Sequence, residues 1–133
     1  MATDPEARIR AYFADCGHGD AAAIAAHFTD GAVIYDTNVP PVRGSEAIGR
    51  FWVRVREKWG GATWQVDAVL VDGERAAIEW TMHGRQPAGG EPFAVRGAEW
   101  YRFEAGRIAE IRQYWTFDPA SPGTGLVGYP YGR

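Results

Sequence analysis

Apolar residues recur along this chain with two different periods. In the first 60 residues Ile9, Tyr12, Phe13 and Cys16 fall at helical spacing, which predicts a first helix stopped at Gly17. Thr3 to Glu6 has the form of a capping box, with Pro5 near the first helical position. Asp20 is placed to cap a second short helix that runs through Ile24 and Phe28 to the Asp30-Gly31 break. Ser45 is placed to cap a third, whose stripe is Ile48, Phe51, Trp52, Val55 and Trp59 and which Gly60-Gly61 stops.

From Thr63 onward the period changes to two. Segments 63–71, 74–86, 92–103 and 107–117 read as strands joined by hairpin turns at Asp72-Gly73, at PAGGEP and at Glu104-Ala105-Gly106. Three helices followed by such a meander predict an α+β domain with the helices covering one face of the sheet. The chain is expected to form one domain, with a core over 6–117. Its tail, 118–133, is rich in Gly and Pro yet carries Leu126, Val127, Tyr129 and Tyr131, so it is expected to pack at a pocket mouth or a dimer interface.

Alternation also sorts side chains onto two faces, and the exceptions are informative. In 92–103 Glu99 shares a face with Phe93, Val95, Tyr101 and Phe103. In 107–117 Gln113 lies with Ile111 and Trp115. In 74–86 Ala76, Ile78, Trp80 and Met82 form an apolar set without a polar exception. A glutamate among aromatic residues either finds a partner or becomes protonated; the alternative places it near a strand end, in water. For Gln113 a structural hydrogen bond suffices. Asp36 ends the apolar run GAVIY, either as a site carboxylate or as the ion-pair partner of Arg43 across the Pro40-Pro41 turn.

Composition narrows the function. The 133 residues are 46% hydrophobic with a formal net charge of -3, which predicts no nucleic-acid or membrane partner. Six tryptophans, six tyrosines and six phenylalanines are enough to fill a core or to line an apolar cavity. One cysteine, Cys16, excludes an internal disulfide, and MATDPEARIR lacks the parts of a signal peptide, so a cytoplasmic location is expected. His18, His27 and His83 lack metal-ligand spacing and read as surface or capping residues, so no metal is expected. Cys16 reads as a small buried hydrophobe, and Arg54, Arg56 and Lys58 as a solvated helix face.

Three segments, IRAYFADCGHGDAAAIAAHF, AVIYDTNVPPVRGSEAIGRFW and EWYRFEAGRIAEIRQYW, occur in the order seen in the nuclear-transport-factor-2-like superfamily, which includes ketosteroid isomerase, SnoaL-like cyclases and limonene epoxide hydrolase. The resemblance covers residues 6 to about 117 and implies a cone, in which a curved sheet wraps the helices around an apolar pocket, often within a homodimer. It places Asp36 where ketosteroid isomerase has its general base, and Tyr12 and Glu99 where that enzyme has its two oxyanion donors. Tyr12 also has a purely structural reading, as part of its helix's core stripe. Phe28 and Trp52 stand in place of supporting tyrosines. Trp80, Met82 and Gln113 occupy the triad positions of limonene epoxide hydrolase, so that triad is absent, and Gln113 stands in the last-strand region where SnoaL-like cyclases carry their acid.

The resemblance and the face analysis together predict a cofactor-free acid/base enzyme of isomerase, dehydratase or cyclase type. Its catalytic residues are Asp36, Tyr12 and Glu99. Trp80, Met82, Val95, Gln113, Trp115, Trp52 and Phe28 are expected to contact a small apolar carbonyl or hydroxyl compound. The alternatives are a non-catalytic binding or assembly module and an epoxide-opening enzyme that uses the Asp36 and Glu99 carboxyls.

Overall fold

The computed structural model describes residues 4–87, 90–116 and 128–129. Helix α1 (Pro5–His18) starts at Asp4, whose carboxylate accepts from the Ala7 amide at 3.1 Å; Thr3 of the expected capping box lies outside the described residues. The helix runs past Gly17 and ends at Gly19, whose φ of 72° closes it in the left-handed region. Asp20 caps α2 (Ala21–Ala25) as expected, accepting from the Ala22 and Ala23 amides.

Further boundaries differ from those expected of the sequence. The second helix stops at Ala25, and Phe28 opens strand β1 (Phe28–Asp36), because Phe28 pairs with Ile108 and is buried there. Sheet pairing and burial outweigh one more helical turn. Ser45 does not cap α3 (Ser45–Lys58). Gly44 takes the cap position with φ 90°, its amide bonded to Ala32 O at 2.8 Å, because the chain must turn back sharply after the short strand β2 (Val42–Arg43). The Asp72-Gly73 turn is centred one residue later, since Asp72 pairs with Arg75 across it.

The remaining strands are β3 (Thr63–Asp72), β4 (Arg75–Arg85), β5 (Pro92–Glu104) and β6 (Arg107–Trp115). They form the expected antiparallel meander, and β1 adds to it parallel to β6, giving one sheet in the order β2-β1-β6-β5-β4-β3. The sheet is curved and unclosed, the helices pack on it, and the whole is a cone. Ile9, Tyr12, Phe13 and Cys16 of α1 and Ile48 and Trp52 of α3 meet Ile78, Trp80, Phe103 and Ile111 in the core. Each large apolar side chain buried there contributes about 1.5–3 kcal/mol. Of the tail, Tyr129 donates to Glu79 Oε2 at 2.8 Å, while Leu126, Val127 and Tyr131 lie outside the described residues. Among the described residues no helix is long and apolar enough to cross a membrane.

Candidate active site

Register brings the site together. Asp36 of β1 lies beside Gln113 of β6, and Gln113 lies beside Glu99 of β5. Both carboxyl residues therefore flank one glutamine in a single cross-strand row, their Cα atoms about 10 Å apart at two strand spacings. The neighbouring row is Trp115, Gly97 and Trp80. Above these rows opens a cavity of about 400 Å³, walled by α1, α3 and the loop after β1.

Asp36 is held by three donors. Gln113 Nε2 and Trp115 Nε1 (2.8 Å) donate to its Oδ2, and the Asn38 amide donates to Oδ1 at 2.6 Å. Arg43 forms no ion pair with it among the described residues, so the ion-pair alternative fails. The loop is fastened differently, by Thr37 Oγ1 and Asn38 Nδ2 donating to Trp115 O at 2.8 and 3.0 Å. Because the Asp36 carboxylate accepts, the Gln113 amide must turn its N–H₂ toward it. Gln113 Oε1 is left buried and without a hydrogen-bond partner among the described residues, as is Trp80 Nε1.

Glu99 is only 3% exposed, in mid-strand and away from any water-facing end. Burial pushes its carboxyl up to about 8; the Tyr101 hydroxyl, which donates to Oε2, opposes this, and the charge of Asp36 adds to it. At neutral pH Glu99 is therefore a neutral acid that retains a proton to donate. Tyr12 combines both of its readings. It packs edge-on against Phe13 and Phe28, at 5.6 and 5.1 Å between ring centroids, and it also lines the cavity. Burial, the Cys16 thiol and Glu99 all push its phenol upward, so it stays a donor.

Of the expected contact residues, Trp52, Trp80, Met82, Gln113 and Trp115 line the cavity. Phe28 and Val95 do not: Phe28 is buried against the Tyr12 ring, and Val95 is buried opposite Met82 in the core layer. The readings of Arg56 and His27 are corrected. Arg56 is half-buried and donates to Gly17 O at 3.0 Å. Arg54 and Lys58 are exposed but line the cavity edge. His27 is buried, not at the surface, clamped between Asp15 (2.6 Å) and Arg8 (3.2 Å). Tyr101, which strand alternation puts on the Glu99 face without marking it as functional, is the further site residue, through its hydrogen bond to Glu99. Among the described residues no cluster of three His, Cys, Asp or Glu side chains is placed to hold a metal ion.

Comparison with known proteins agrees with this architecture. Residues 9–111 match the SnoaL-like domain family. A protein of unknown function with a cystatin-like fold from Methylobium petroleophilum PM1 is 29% identical, with a TM-score of 0.74 over 96% of this chain and 90% of that one. A hypothetical protein with a ketosteroid isomerase-like fold from Catenulispora acidiphila DSM 44928, solved in complex with trimethylamine, reaches a TM-score of 0.80 at 18% identity over 98% and 100% of the two chains. The epoxide hydrolase/cyclase-like enzyme SalBIII, described in pyran ring formation in the polyether salinomycin, reaches 0.74 at 17% identity over 84% and 90%. No curated protein matches. The chain belongs to the SnoaL-like domain family, within the nuclear-transport-factor-2-like superfamily.

Proposed function

We propose that this protein is a cofactor-free acid/base enzyme of isomerase, dehydratase or cyclase type, acting on a small, largely apolar carbonyl or hydroxyl compound. The observation that carries this reading is the row Asp36, Gln113, Glu99, which opens two carboxyl groups of opposite character onto one apolar cavity. Asp36 is oriented by donors and acts as the base, taking a proton from the carbon beside the carbonyl. Glu99, kept neutral by burial, and Tyr12 donate to the oxygen on which charge develops. Return of the proton from Asp36 to another carbon completes an isomerisation; its passage to a departing hydroxyl, which leaves as water, completes a dehydration; and attack of the enolate carbon on a second carbonyl of the same molecule, whose oxygen takes the proton, completes a cyclisation. Volume beside Asp36 favours this over an assembly module, whose cavity Trp80, Trp115 and Phe93 would close. Phe93 instead packs on Trp59. A neutral acid facing an acceptor carboxylate also suits epoxide opening, and the SalBIII neighbour is described as an epoxide hydrolase/cyclase-like enzyme.

The test is deuterium uptake next to the carbonyl of an apolar ketone such as β-tetralone in heavy water. Catalysed exchange is expected with the native protein and its loss with a folded Asp36→Asn variant. Equal exchange by both proteins overturns the assignment of the base, and epoxide turnover without ketone exchange selects the second reading.

A further inference from the structure

The charged groups around the cavity sort by exposure. Glu99 is buried and Asp36 half-buried, whereas Arg54 and Lys58 stand exposed at the edge. Among the described lining residues these two are the cations. They lie four residues apart on α3, on the same helix face as Phe51 and Val55 of the cavity wall. Like charges at this spacing repel, and the polarity of the helix end accounts for Lys58 but not for Arg54 a turn earlier. Four arginines elsewhere pair with carboxylates, Arg10 with Glu6, Arg50 with Glu46, Arg102 with Glu104 and Arg112 with Glu110, and Arg56 is used by the Gly17 carbonyl. Arg54 and Lys58 form no ion pair among the described residues; the Lys58 ammonium lies 5.0 Å from the Trp59 ring centroid. A positive edge on an apolar cavity, in a chain of net charge -3, is a local device with a ligand of opposite sign as its complement.

We propose that Arg54 and Lys58 bind an anionic group, of carboxylate type, at the outer end of an apolar ligand whose other end reaches Asp36 and Glu99. The guanidinium offers a planar fork to two anionic oxygens and the ammonium a point charge beside it. The inner end of that ligand rests on the acid/base reading, whereas the outer contact is tested by binding alone. The probes are anilinonaphthalene sulfonate and phenylnaphthylamine, which share their rings and differ by the anion. Both are titrated by fluorescence in a Trp100→Ser background, which removes the exposed tryptophan of the outer sheet face.

Arg54→Gln with Lys58→Gln is expected to weaken the sulfonate about fivefold, as two exposed ion pairs would, and charge reversal to Glu at both positions to weaken it further. Added salt lowers the native affinity for the sulfonate, and the uncharged probe changes by less than about twofold throughout. Arg54→Lys with Lys58→Arg, which keeps both charges, retains sulfonate binding. Unchanged sulfonate affinity in both double variants, parallel loss of both probes, or no saturable sulfonate binding to the native cavity overturns the proposal. Neither probe carries a proton next to a carbonyl, so failure of the ketone exchange leaves this result untouched, and the reverse also holds.

Discussion

Glu99 is the residue on which the chemistry and the stability of this fold converge. An unfolded glutamate titrates near 4.5 and the buried one near 8. Between those values the folded chain holds a proton that the unfolded chain has released, so stability falls as pH rises through this window and levels off above it. The loss is on the order of 5 kcal/mol across the window. Thermal melts at intervals from pH 5 to 9 are expected to show this slope in the native protein and not in Glu99→Gln. Activity is expected to decline above about pH 8, as the donor ionises. Because the Tyr101 hydrogen bond holds the carboxyl down, Tyr101→Phe moves that decline to higher pH. An unmoved limb in the rate profile would show that Tyr101 does not tune the acid. Gly97 has a different role. A Cβ there meets the Trp80 ring at 2.5 Å and Tyr114 O at 2.9 Å, so the missing side chain lets the indole lie against the sheet. Gly97→Ala is expected to cost about 1–3 kcal/mol and to push Trp80 into the cavity. Adding Trp80→Phe should recover part of both losses, measured by melting and by phenylnaphthylamine affinity.

At the scale of elements, α2 and α3 approach so closely that a Cβ on Gly49 falls 2.3 Å from Ala21 O. That atom is backbone and has little freedom to give way. Gly49→Ala is therefore expected to destabilise by about 3 kcal/mol, read as a lowered denaturation midpoint with an unchanged slope. The elements themselves were legible in the sequence wherever one face was buried. The 3.6-residue and two-residue patterns located the helices and the four meander strands, and the polar breaks in the apolar faces located Glu99 and Gln113. The start of β1 at Phe28 was hidden, because the apolar spacing of Ile24 and Phe28 fits a helix as well as it fits a turn into a strand. Pairing with Ile108, eighty residues later, decides between them. The pairing of Asp36 with Gln113 and Trp115 was hidden for the same reason, since a parallel neighbour leaves no local signature. The half-burial of Arg56 depends on the Gly17 carbonyl, a group that no period along α3 can reveal.

On the scale of the whole molecule, the outer sheet face carries two exposed aromatic side chains. Trp100 and Tyr114 stand 54% and 52% exposed on adjacent strands, and the homodimer that the resemblance implied would cover them. We propose that two copies meet on this face. Trp100→Glu with Tyr114→Glu is expected to halve the mass seen by analytical ultracentrifugation and leave the far-ultraviolet circular dichroism unchanged. A native protein that sediments as a monomer at high concentration removes the proposal.

The parallel pairing of β1 with β6 also has a temporal side. The contact between Asp36 and Gln113 spans 77 positions of chain, so the loop it closes is among the slower events of folding. On a ribosome the helices and the first carboxylate emerge long before β6, which carries the two side chains that orient that carboxylate. The nascent protein therefore gains both the floor of its cavity and its oriented base only when the last strand docks between β1 and β5.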